Sequence, residues 1–173
     1  FVDKYHPEVG FASPVSGTVE QIVRGEKRKL LEVRIKAAKT TDYIKFNTPD
    51  VVKATAEEIK KVLLESGLWV ALKQRPYGIV ANPADEPRAI FVSAFDSAPL
   101  APDYNFTLKG EAANLQVAVD VLNKLTKGGV FVGLNAKEAA TSPFNHLKNV
   151  KHYGFSGAHP AGNVGVQINN IAP

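Results

Sequence analysis

The chain has 173 residues, 45% of them hydrophobic, a formal net charge of +4, and neither cysteine nor methionine. This composition fits a packed globular chain of one domain, or one domain with part of another, and argues against disorder. The missing cysteines exclude a disulfide framework, an Fe–S cluster and a thiolate-bound metal within these residues.

No apolar run approaches the roughly 18 to 20 residues needed to cross a bilayer, and no signal peptide opens the chain. A start at Phe1 with no methionine anywhere leads us to expect a piece of a longer protein. In chain order, residues 13–36 read as a β-hairpin. Gly17 to Val23 form its first strand, Arg24-Gly25-Glu26 its turn, and Leu31, Val33 and Ile35 alternate with charged residues along the second. Arg24, Lys27, Arg28 and Lys29 read as a solvated turn rather than a nucleic-acid patch, because no aromatic residues interleave with them. A lone hairpin is marginal, so further sheet partners are expected elsewhere.

Residues 37–52 read as a linker. Thr55 and Glu58 form a capping box at the start of a helix with Ile59, Val62 and Leu63 on its buried stripe and Gly67 at its end. The next stretch, Ser66 to Tyr77, leads toward an apolar strand over Ala89–Ala94, the framing in which phosphate-gripping loops occur. Such loops need glycines so that backbone N–H groups can approach an anion, and Trp69, Val70 and Leu72 stand in the way. After a Pro-rich loop, Asp96 to Asp103, a helix over Glu111–Leu125 ends near Gly128 and a buried strand follows over Val130–Leu134. Strand, helix and strand make a βαβ unit, so the larger part is α/β with a mostly parallel sheet. Ala89–Ala94 lacks alternation, as expected of a strand covered on both faces. A short helix within Lys137–Leu147, a strand over Val150–Phe155, a glycine-rich loop over 154–165 and a last strand over Val164–Ile168 complete the reading.

Few motifs carry chemistry. The glycine-rich loop contains neither a G-x-G-x-x-G opening a helix nor a G-K-[ST], and Pro160 removes one donor. It reads either as a tight loop needing positive φ, or as a holder for His159 acting on a ligand or proton. His6, His146, His152 and His159 lack the i,i+4 spacing of a helical metal pair. Ser16-Gly17 and Ser156-Gly157 lack the G-x-S-x-G elbow of α/β hydrolases. Asp96 follows a buried strand, where open α/β sheets place ligand contacts, though it could equally cap the turn that follows.

Several stretches together resemble one family, the NqrA subunit of the Na⁺-translocating NADH:quinone oxidoreductase of bacteria. They are Phe11-Ala12-Ser13-Pro14-Val15-Ser16-Gly17-Thr18-Val19, Arg24-Gly25-Glu26-Lys27-Arg28-Lys29-Leu30, Ser66-Gly67-Leu68-Trp69, Arg75-Pro76-Tyr77, Pro87-Arg88-Ala89-Ile90-Phe91-Val92, Pro99-Leu100-Ala101 and His159-Pro160-Ala161-Gly162. That family is similar in turn to the RnfC subunit of the Rnf electron-transport complex and to the flavin subunit of respiratory complex I. The resemblance implies an α/β domain like the complex I flavin-subunit domain over 53–173, with its gripping loop replaced at Leu68 to Tyr77. It also implies part of a lipoyl-like barrel-sandwich domain over 1–36.

The implied role is a peripheral subunit on the cytoplasmic face of the inner membrane. It would dock on membrane subunits and contribute to ubiquinone binding, with FAD, FMN, riboflavin and Fe–S centres held by partner subunits and no cofactor in this chain. The alternatives are a flavin- or nucleotide-binding oxidoreductase domain and a purely structural scaffold. A quinone needs an apolar slot with donors for its carbonyls, and Arg75, Tyr77, Phe95, Asp96 and His159 are the candidate contacts.

Overall fold

A computed structural model describes residues 1–171; Ala172 and Pro173, the end of the expected second domain, lie outside the described residues. Strands β1 (Gly17–Arg24) and β2 (Leu30–Ala37) pair antiparallel as the expected hairpin. Its reversal is not at Arg24-Gly25-Glu26 but just beyond it, at Lys27-Arg28. Lys29 N donates to Glu26 O (3.1 Å), and Lys27 and Arg28 between them take left-handed φ values of 53° and 61°. The sequence offered no Asn or Gly at either position to announce such a turn.

Helix α1 (Ala56–Glu65) begins at the predicted capping box: Glu58 N donates to Thr55 Oγ1 (3.2 Å) and Thr55 N to Glu58 Oε2 (2.9 Å). Gly67 follows it with φ 76°, a conformation that leaves the chain free to turn into a 3₁₀ segment over Leu68–Ala71. There Trp69 is buried and its indole N–H donates to Ala81 O (2.8 Å). The indole therefore fills the space beside a small hairpin, β3 (Lys73–Gln74) and β4 (Ile79–Val80).

The three strands β5 (Ile90–Ser93), β6 (Val130–Asn135) and β7 (Val150–Phe155) form one parallel sheet in that spatial order. Between β5 and β6 the chain makes the short helix α2 (Tyr104–Thr107) and the long helix α3 (Ala112–Lys124), as the βαβ pattern predicts. Val130, Val132 and Leu134 of β6 pack one sheet face against Val119 of α3, together with Ala94, Phe144 and Leu147. A second core gathers Val9, Ala54, Ile59, Trp69 and Leu125.

Three expectations change. Val164–Ile168 is not a strand but the first part of helix α4 (Val164–Ile171). Alternating Val164, Val166 and Ile168 imitate a period of two, but Val164, Gln167, Ile168 and Ile171 also fit a helical stripe, and Asn163 O accepts Gln167 N to start the helix. The glycine-rich loop therefore does open a helix. Lys137–Leu147 holds only a 3₁₀ turn at Ala139–Thr141, because Ser142 and Pro143 interrupt it. β5 is half-buried rather than fully covered. Phe91, Phe131 and Tyr153 stack across its second face with centroids 4.8 and 5.9 Å apart, and Tyr153 stays 39% exposed.

Candidate functional site

A parallel sheet opens its ligand crevice beyond the carboxyl ends of its strands, where successive connections diverge. Here the chain leaves β5 through Phe95 and Asp96, leaves β6 through Asn135, and leaves β7 into the glycine-rich loop. A crevice of about 540 Å³ lies at the ends of β5 and β6, walled by Phe95, Asp96, Tyr104, Asn135, Glu138 and the buried Ser142. Asp96 Oδ1 accepts Ala98 N (2.8 Å), so this carboxylate caps its turn at the wall of the crevice. A shallower depression of about 330 Å³ beside α1 is lined by Glu57, Lys60, Lys61 and Glu65, which form ion pairs among themselves.

Behind Phe95 and Asp96 a polar network locks three elements together. Gln167 on α4 is 2% exposed, and its Nε2 donates to Ser93 Oγ (3.0 Å) and Ala161 O (3.2 Å). The Ser93 hydroxyl lies 2.8 Å from both the Phe95 and the Gly162 carbonyl oxygens. Gly162 N donates to Ser97 Oγ (2.8 Å), which sits 3.2 Å from Nδ1 of His159. His159, an exposed residue, is thus tied through Ser97 to the segment that leaves β5.

Phe95 and Asp96 therefore line the crevice, and His159 reaches the same segment through Ser97. Arg75, in the β3–β4 turn, lays its guanidinium on Gly165 at the start of α4. Tyr77, two residues along the same turn, is 80% exposed and touches none of the other four in the hydrogen-bond network. Sequence reasoning missed Ser93, Ser97 and Gln167. Gln167 had a signal, an amide flanked by Val166 and Ile168, which in a core demands partners.

The titratable groups with clear shifts lie elsewhere. Backbone N–H groups of Tyr5 and His6 hold the Asp3 carboxyl below its ordinary range, and the Thr55 N–H does the same for Glu58. Among the described residues no group of three or more His, Cys, Asp and Glu side chains is arranged to hold a metal ion.

Fold and crevice together define an open-sheet α/β domain with a separate β-hairpin in front. The two parts match two neighbouring family models, the NqrA N-terminal barrel-sandwich hybrid domain over residues 1–38 and the NqrA second alpha/beta domain over residues 54–173. The chain belongs to the NqrA family. It is 37% identical over 175 residues to the A subunit of the Na(+)-translocating NADH-quinone reductase of Saccharophagus degradans. It is 39% identical over 176 residues to that of Neisseria gonorrhoeae and 36% identical over 175 residues to that of Haemophilus influenzae. In all three cases the match covers 100% of this chain and 39% of the relative, so the chain spans well under half of their length.

Proposed function

We propose that the chain serves as part of the A subunit of a Na⁺-translocating NADH:ubiquinone reductase. In this reading it is a peripheral piece on the cytoplasmic face of the inner membrane, docked on the membrane subunits that hold the flavins and Fe–S centres. The observation that carries the assignment is identity of 36 to 39% across the whole chain to proteins bearing that subunit's name. The organisation that goes with it is a partial barrel-sandwich domain over 1–36, a linker over 37–52 and an α/β domain from residue 53 onward.

Ubiquinone contact is assigned to the end of β5. In this reading Phe95 supplies an apolar wall, and Arg75, His159 and Tyr77 supply donors for the quinone carbonyls. Asp96, Asp103 and Glu138 around the crevice disfavour the phosphates of a flavin nucleotide. Replacing Arg75 by Ala and Tyr77 by Phe together, in the assembled reductase, should raise the apparent KM for ubiquinone by about tenfold, the equivalent of two lost hydrogen bonds. Unchanged KM sinks the quinone assignment, and flavin absorbance that stays with the chain through gel filtration sinks the cofactor-free reading.

A further inference from the structure

The hairpin tip is a strongly cationic feature that the proposed function leaves without a task. Gly25 N donates to Lys29 O (2.8 Å) and Lys29 N to Glu26 O (3.1 Å), so the chain reverses through just Lys27 and Arg28. Both are left-handed, with φ 53° and 61°, which makes this a two-residue primed turn. Such turns favour Asn-Gly, because a Cβ is strained in left-handed backbone. Two long cations sit where the backbone would be most comfortable without them. A strained position held against local preference is a pointer to use.

The neighbours fit the same use. Arg24 Nη1 donates to Arg28 O (3.1 Å), which keeps a third cation at the tip, and Lys29 adds a fourth against the single anion Glu26. All four cations are exposed, and among the described residues none is ion-paired to a carboxylate. Beside them Ile22, Leu30 and Leu31 are 53%, 37% and 55% exposed, with Leu31 lying over Gly25 at the turn. Four exposed, unpaired cations gathered on one turn are the composition that an anionic bilayer surface attracts, through its lipid phosphates. Aromatic rings on which bases could stack are absent from residues 22–31.

We propose that the β1–β2 tip, residues 24–31, docks on an anionic lipid surface. The proposal rests on the peripheral-subunit reading for its location. The test is co-sedimentation of the full chain with phosphatidylcholine vesicles containing about one third phosphatidylglycerol, and with neutral vesicles, at low and physiological salt. Binding should require the anionic lipid and fall as salt rises. The double variant Lys27→Asn, Arg28→Gly removes two cations and supplies the residues the turn prefers. It should keep or raise the thermal midpoint while weakening vesicle affinity about 30-fold.

Equal binding to neutral vesicles, no vesicle binding, or unchanged affinity in the double variant overturns the proposal. Binding of a single-stranded oligonucleotide through the same two residues, with vesicles ignored, also overturns it. Co-purification with the reductase's membrane subunits is scored separately. If it persists while vesicles are ignored, lipid docking falls and the peripheral reading stands; if it fails while vesicles bind, the peripheral reading falls.

Discussion

Gly133 is where the sheet admits helix α4. A side chain there would occupy the space of the Gln167 carboxamide, so only a bare Cα lets that amide reach Ser93 and Ala161. Gly133→Ala should push Gln167 off both partners and cost roughly 1 to 3 kcal/mol, read as a lower urea midpoint. Trp69 poses the opposite question, a large side chain where a phosphate-gripping loop would need glycines. Trp69→Phe keeps most of the apolar volume but leaves the Ala81 carbonyl without its donor, at roughly 1 to 3 kcal/mol, whereas Trp69→Ala should cost roughly 3 to 5 kcal/mol. If Phe and Ala prove equally costly in denaturant melts, the indole hydrogen bond rather than the volume governs the site. A glycine inside a strand and a glutamine inside an apolar run are legible as signals of close approach and of buried bonding. Their pairing across 74 residues, Gln167 with Ser93, is not, because no local pattern encodes it.

At the scale of elements, α1 could be read with its ends because capping chemistry is local. Thr55, Glu58 and Gly67 act within a few residues of themselves. The same chemistry makes a prediction about pH. The Thr55 N–H lowers the Glu58 pKa in the folded chain, so the contribution is full above the unfolded value and is lost as pH falls through the folded one. Wild-type stability should therefore decline from about pH 4.3 downward in part through this box. Thr55→Ala should cost about 1 kcal/mol at neutral pH, and Glu58→Gln should flatten the acid slope of the denaturation midpoint. A slope identical to wild type in Glu58→Gln counts against the box as its source. Helix α4 failed to be read for the converse reason. Val164–Ile171 satisfies both periods over so short a span, and its cap is the backbone carbonyl of Asn163, not a side-chain pattern. The hairpin tip shows a related blind spot: its turn type depends on φ values that Lys27 and Arg28 do not advertise.

Across the whole molecule, the parallel pairing of β5 with β6 followed from strand, helix and strand, and the crevice from where such strands end, while the place of β7 beside β6 had no local signal. Nothing in the first dozen residues foretold that Val9, with no exposed surface, would sit among Ala54, Ile59, Trp69 and Leu125. No period of apolar residues around it marks Val9 as core, and its buried partners begin 45 residues on, at Ala54. That one contact has a practical consequence. Residues 43–48 are exposed and lack regular structure, so trypsin should cut after Lys45 under mild digestion. The two products should nevertheless run together on a sizing column, clasped by Val9, and part only in denaturant. In Val9→Asp the same nick should release the hairpin as a free peptide. The N-terminal segment is thus less a tether than a latch, and covalent continuity between hairpin and sheet becomes dispensable once it is shut.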